Sequence, residues 1–214
     1  MVAVIKGDII ASRKLKNPKK WLAALKTLLA QWGKTPKQWE LGWGDLFQLE
    51  LNHPEEALYK AIEIKALLKS ISPNEDNKTN SKIDVRMAIG IGDKTFSAPR
   101  IMESNGPAFI FAGEKFEKLK KDKLNLAIQT VWPDFDLEVN LYLKLANIIM
   151  DNWSVSSAQL MSVLLKNREA TQEEIGKILG IKQSSVSGRW NRAKIDEILE
   201  LDQIFRRKLK IMIP

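Results

Sequence analysis

Between Thr171 and Lys194 the chain reads TQEEIGKILGIKQSSVSGRWNRAK, an order of residue types suited to two short helices meeting at a tight corner. Thr171 is placed to cap the first helix, and Glu174, three residues on, to return the bond to the backbone, the reciprocal pattern of a capping box. Ile175, Ile178 and Leu179 follow at helical spacing. Gly180 ends this helix, because glycine adopts the left-handed conformation of a helix terminus at little cost, and Ile181 plugs the corner. A second helix is expected from about Gln183, with Val186 turned inward. Lys182, Gln183, Ser184, Ser185, Ser187, Arg189, Asn191 and Arg192 are the candidate DNA-contacting residues. Small hydroxyls at a helix start can approach phosphates, while Gln, Asn and Arg present the donor and acceptor pairs that base edges require. An αα-hairpin that contacts protein has the same geometry. The polar outer face with Lys182, Arg189, Arg192 and Lys194 favours double-stranded DNA.

A second set of residues has different chemistry. Asp8 follows a run of strand-forming residues, and Asp45 sits in a Gly44-Asp45 turn between two strands. If the strands are neighbours, the two carboxylates meet at one end of the sheet, where oxygen ligands suit Mg²⁺ with a phosphate as its further partner. Ser12 and Arg13, just beyond Asp8, are candidate nucleotide-binding residues, since Arg grips phosphate through two parallel N–H donors. Mg²⁺ and a nucleotide are therefore the candidate cofactors. The plainer alternative is that both acids are turn residues, a role Gly and Asp commonly fill.

The elements that must hold these residues follow from periodicity. Val2–Ile10 reads as a buried strand ending at the acid, Pro18 to about Trp32 as a helix, and Gln38–Leu51 as a β-hairpin. A helix follows Pro54 to about Ser70, then a polar loop over Ser72–Lys82, a strand over Ile83–Ile91, a helix from Pro107 to about Lys121, and a strand over Leu124–Val131. The order β-α-β-β-α-β-α-β contains the βαββαβ unit of a ferredoxin-like fold. After Phe135 only helices are expected: Phe135–Trp153, Ser156–Lys166, the helix-turn-helix, and Asp196–Lys210. The fold class is thus α+β, with a ferredoxin-like module over residues 1–132 and an all-α module over 133–214 that contains the helix-turn-helix at 171–194.

Composition narrows the functions. The 214 residues carry a net charge of +8, which favours polyanionic partners. There are no cysteines and one histidine, so disulfides, thiolate chemistry and a His-rich metal site are excluded. Neither a signal peptide nor an apolar run long enough to span a bilayer is evident, so a cytoplasmic location is expected. Most of the seven Trp fall on apolar faces and read as core, although Trp43, beside the Gly44-Asp45 turn, could stack a base. Arg86, amid apolar strand residues, is expected to pair with Asp84 or Glu50.

Three fragments of the front half, Asp8-Ile9, Gly44-Asp45 and Arg86 to Gly92, together with Gly106-Pro107-Ala108, resemble the class III nucleotide cyclase domain and, more distantly, other palm-type domains. The resemblance implies metal and nucleotide binding. Where cyclases place an Asn and an Arg on the following helix, this chain has Phe109 to Glu114, which argues against cyclisation. Over the whole length, GDIIxSR (Gly7 to Arg13), GDxFQ (Gly44 to Gln48), RxAIGIG (Arg86 to Gly92), SNGxAF (Ser104 to Phe109) and the helix-turn-helix resemble the SatD family of bacterial transcriptional regulators. A helix-turn-helix commonly binds DNA as a two-fold dimer, and cyclase-like domains also pair, so a DNA-binding homodimer is expected, joined through the front module or the helix over Phe135–Trp153, with the front serving as a sensor or dimerisation module. No catalytic residue is assigned. The competing expectations are a Mg²⁺-dependent nucleotidyl transferase or cyclase-like enzyme with an accessory helical module, and a scaffold in which neither site acts.

Overall fold

The computed structural model describes residues 1–10, 18–42, 44–72 and 83–213. Ser12, Arg13, Trp43 and all but the first residue of the polar Ser72–Lys82 segment lie outside the described residues. Five strands form one sheet in the order β2-β3-β1-β4-β5. They are β1 (Val2–Ile10), β2 (Trp39–Leu41), β3 (Leu46–Leu51), β4 (Asp84–Gly92) and β5 (Leu126–Gln129). Neighbours are antiparallel except β4 and β5, which run parallel. β1 runs through Asp8 to Ile10, with Asp8 paired to Leu46 on one side and Arg86 on the other.

The alternation of β1 assigns the two faces of the sheet. Ala3, Ile5 and Ile9 join Phe47, Leu49, Met87, Ile89 and Ile91 in the main core, where α1 (Pro18–Leu29) and α2 (Ala57–Ser70) contribute Trp21, Leu25, Leu58 and Ile62. Val4 faces the other way and packs under α3 (Pro107–Asp122) with Ala108 and Ala112. This second contact is very close. A Cβ on Gly90 would stand 2.1 Å from the Ala108 carbonyl oxygen and 2.4 Å from the Ala112 nitrogen, and one on Gly92 would meet Pro107 at 2.9 Å. The glycines of RxAIGIG therefore allow a helix to lie directly on the sheet.

The SNGxAF segment makes the turn into that helix. Ser104 Oγ accepts a hydrogen bond from the Ala98 N–H, Asn105 bridges to Phe96, and Gly106 at φ 143° stands where a Cβ would be 2.5 Å from the Asp93 carbonyl oxygen. The polar face of β3 is covered rather than solvated. Gln48 and Glu50 are buried beneath the segment 93–106, Gln48 donating to the Ile101 carbonyl at 3.1 Å and Lys94 pairing with Glu50 at 2.6 Å. Arg100 pairs in the same way with buried Glu40 of β2.

The remaining chain is helical: α4 (Pro133–Asp151), α5 (Val155–Lys166), α6 (Gln172–Leu179), α7 (Gln183–Ala193) and α8 (Ile195–Met212). α4 lies along the free edge of β5, and α5 packs on α2. One hydrophobic cluster runs without a break from Ala3 and Ile5 of the sheet through Leu58 and Leu160 to Phe205 and Leu209 of α8. An ionic network crosses the same junction. Lys65 of α2 is fully buried and donates to Asp84 at 2.7 Å and to Asp151 at 2.6 Å, while Lys69 donates to Asp84 and to the Asp151 carbonyl, each at 2.9 Å. Burial pushes the Lys69 amine below its ordinary range, and Asp84 beside it pulls it back. Buried charge is tolerated where it is both paired and hydrogen-bonded, as here.

Candidate functional site

The corner at Gly180 forms as its residue order requires. Thr171 Oγ1 accepts from the Glu174 N–H, and the Glu174 carboxylate accepts from the Thr171 N–H at 2.7 Å, completing a capping box. These bonds hold the Glu174 carboxyl below its ordinary value. Gly180 ends α6 at φ 65°. α7 begins after Lys182, whose carbonyl accepts from Ser185 and Val186. Gly176 lets α6 lie close to the turn and to α7: a Cβ there would lie 2.8 Å from the Ile181 carbonyl oxygen and 3.5 Å from Val186. α5 packs against both helices, so the pair stands on a third, and Ile175, Val186 and Ala193 fill the space between them.

Helical spacing divides α7 into two faces. Val186 and Ala193 are buried, with Trp190 half-buried beside them. Ser184, Ser187, Gly188 and Asn191, at i, i+3, i+4 and i+7, form the opposite face. Lys182, Gln183, Ser184, Ser185, Asn191 and Arg192 are exposed, whereas Ser187 and Arg189 are half-buried. Gln183 donates to Gln172 at 2.8 Å, bridging the starts of the two helices. Lys194, at φ 55°, turns the chain into α8 and pairs with Glu197 at 3.2 Å. Trp153 was legible as a core residue, but its second role was not. Its indole N–H donates to the Ala193 carbonyl at 2.9 Å, fixing the last turn of α7 against the end of α4.

At the sheet end, Asp8 is half-buried and flanked by strands on both sides. Arg86, expected to pair with Asp84 or Glu50, pairs instead with Asp8 at 3.3 Å. The reason is register: Arg86 lies directly across from Asp8, while Asp84 is held by Lys65 and Lys69, and Glu50 by Lys94. Burial pushes the Asp8 carboxyl above its ordinary value, Arg86 pulls it down, the Asp45 carboxylate pushes it up again, and Lys120 of α3 pulls it down. The hairpin thus brings Asp45 within electrostatic reach of Asp8. Lys120 joins them from α3.

Asp8 Oδ2 faces Arg86, and buried Oδ1 has no hydrogen-bond partner among the described residues. An orphaned carboxylate oxygen near a second carboxylate fits a hard cation that completes its shell with water and phosphate. Among the described residues no group of three or more His, Cys, Asp or Glu side chains could hold a metal, so a cation here would depend on Asp8, Asp45 and its own substrate. Ser12 and Arg13 lie outside the described residues.

No described helix is long and apolar enough to cross a membrane. No family model matches the chain, and a search of curated proteins finds no match.

Proposed function

We propose that this chain is a DNA-binding transcriptional regulator of the SatD type, acting in the cytoplasm as a homodimer. The observation that carries the reading is α7, held on α5 and α6 with its small and polar residues outward. Its Ser184, Ser187, Gly188 and Asn191 face leaves room for a base-pair edge. Lys182, Arg189 and Arg192 supply the charge that attracts phosphates, the sequence-independent part of DNA binding. The front module is a ferredoxin-like, cyclase-like sensor or dimerisation unit. The β2-β3-β1-β4 order with antiparallel neighbours supports the split βαββαβ arrangement, to which β5 adds a parallel strand.

The outer side of α4 supports the dimer reading. Leu137, Leu141, Leu145 and Ile148 recur at helical spacing along its outer side, and Leu137 is 78% exposed. A two-fold dimer built on this stripe would present two α7 helices to half-sites roughly 34 Å apart, one turn of the duplex.

Fluorescence anisotropy with random duplex over a salt series tests the reading. Binding should weaken steeply with salt, and Arg189→Ala plus Arg192→Ala should lower the logarithmic salt slope by about 2 as two phosphate contacts are lost. Salt-insensitive binding, or none at low salt, would overturn it.

The orphaned Asp8 oxygen favours a second reading, a Mg²⁺-dependent nucleotidyl transferase or cyclase-like enzyme with an accessory helical module. In that reading Asp8 and Asp45 hold the cation, Ser12 and Arg13 the nucleotide phosphates, and Arg86 orients Asp8. It requires Mg²⁺-dependent turnover of a nucleoside triphosphate that Asp8→Asn or Asp45→Asn abolishes.

A further inference from the structure

The first residue of α6 and the first residue of α7 are joined through their side chains. Gln183 Nε2 donates to Gln172 Oε1 at 2.8 Å, across eleven positions of sequence. The fold does not depend on this bond. Gln183 is exposed and Gln172 half-buried, so water can satisfy both amides. The effect of the bond is on orientation: it holds a long side chain in one place at the tip of α7, and that ordering no longer has to occur on binding.

A primary amide has two N–H donors and one oxygen acceptor. Gln172 takes one donor of Gln183. The second donor and the Gln183 oxygen have no partner among the described residues, and neither has Gln172 Nε2. Gln183 therefore displays an acceptor beside a donor. In the major groove only adenine offers the matching edge, the N7 acceptor next to the N6–H donor. Guanine offers two acceptors, thymine an acceptor and a methyl group, and cytosine a donor alone.

The surroundings suit contact with a duplex. Residues at the start of a recognition helix are the ones that reach base edges. Gln183 and Ser187, at i and i+4, share one side of α7, and Ser187 also belongs to the outward face with Ser184, Gly188 and Asn191. The acids that follow Gln172 are occupied. Glu173 pairs with Lys177 at 3.0 Å, and Glu174 accepts from the Thr171 N–H at 2.7 Å.

We propose that Gln183 selects an adenine in the major groove and that Gln172 is the positioning residue that sets its amide for that base. The second N–H of Gln183 donates to adenine N7, and its oxygen accepts from N6–H. Gln172 Nε2 is left to donate to a backbone phosphate. This inference rests on the DNA-binding reading and names the base that α7 distinguishes.

Selection of duplexes from a random pool by the full chain, followed by sequencing, provides the test. The wild-type pool should converge on a site with A·T fixed at one position that Gln183 reads. Duplexes with G·C at that position, or with 7-deazaadenine, which lacks the N7 acceptor, should bind about tenfold more weakly. Gln183→Ala should bind the A·T and G·C duplexes alike. Gln172→Ala should reduce the preference. Gln172→Glu keeps an acceptor for the Gln183 N–H, so it should restore the preference while lowering affinity for both duplexes, because a carboxylate then faces the phosphate. A residue that served only the fold would show no such rescue. Circular dichroism checks that each variant is folded. Salt-sensitive duplex binding without a fixed A·T pair, a preference that survives Gln183→Ala, or one unchanged by Gln172→Ala overturns this inference and leaves the DNA-binding reading standing. No duplex binding at low salt overturns both.

Discussion

Asn140 of α4 and Ile128 of β5 exchange two hydrogen bonds, each 2.9 Å, the Asn140 amide oxygen accepting from the Ile128 N–H and its amide nitrogen donating to the Ile128 carbonyl. A side chain thus takes the place of a neighbouring strand at the edge of the sheet. Asn147 donates to the Leu126 carbonyl and Asp136 accepts from the Thr130 N–H, so one helix pairs with the edge at three levels. Unpaired edges invite pairing with other chains, and covering them with a helix is one remedy. Asn140→Leu should cost about 2 kcal/mol, because it leaves both Ile128 backbone groups unsatisfied. Urea unfolding measures that loss. Light scattering should detect added self-association, which Asn140→Gln would reduce only if its longer amide still reaches the edge.

Gly90 and Gly44 separate two reasons for a glycine. Gly44 lies at φ 80° with nothing near its would-be Cβ, so its need is one of backbone conformation. Gly90 has a backbone against it at 2.1 Å. Gly44→Ala should cost on the order of 1 kcal/mol, and Gly44→Asn less, since Asn tolerates the left-handed region. Gly90→Ala should cost more than about 3 kcal/mol, because α3 must move off the sheet. Thermal unfolding of the three variants orders them.

Asp8 should weaken the fold when it ionises. Its folded carboxyl is raised above the ordinary value of 3.8, chiefly by burial. A raised carboxyl contributes stability that is fully present below the unfolded value and is lost as pH rises through the folded one. Asp8→Asn should therefore raise the melting temperature at neutral pH, and the gain should shrink toward pH 3.8. An unchanged or lower melting temperature at neutral pH would mean that Arg86 more than repays the burial. Stability surrendered at a polar site is a common mark of function.

Leu141→Glu with Leu145→Glu tests the α4 stripe. Both side chains are more than half exposed, so the monomer should fold unaided. If the proposed dimer is built on this stripe, sedimentation velocity should show its loss, and operator-length duplex should be bound more weakly as the second half-site contact is lost. A wild-type chain that sediments as a monomer at all accessible concentrations would remove the stripe from the dimer interface.

The regular elements were legible because their signals are local. Capping box, Gly180 and the Ile175 to Leu179 spacing define the corner before any tertiary contact does, and the alternation of Phe47, Leu49 and Leu51 fixes the inward face of β3. What could not be read depends on pairing between distant segments. Gln48 and Glu50 lie opposite the apolar face of β3, and their burial depends on Ile101 and Lys94 from a distant segment. Arg86 was expected to pair with Asp84 or Glu50, and only strand register shows that its partner is Asp8. The glycines of RxAIGIG carry no local signal for the helix that lies on them, since Gly90 meets Ala108 and Ala112 from a distant segment. Arg168 and Arg206 both lie over the Tyr59 ring, a cluster of residues up to about 150 positions apart that carries no spacing signal at all.

Lys65 has a consequence for motion. Its ammonium is bound at once by the start of β4 and the end of α4, while its own helix lies in the core between them. If either partner segment swung away, a charge would be left in apolar surroundings without enough acceptors, so partial opening costs nearly as much as complete opening. Amide protons of α2, β4 and the last turn of α4 should then exchange with solvent together, at one rate set by global unfolding. Segments outside this lock, such as α6 and α7, should exchange sooner, and the surface proposed to meet DNA would then be the part of the chain able to adjust to it.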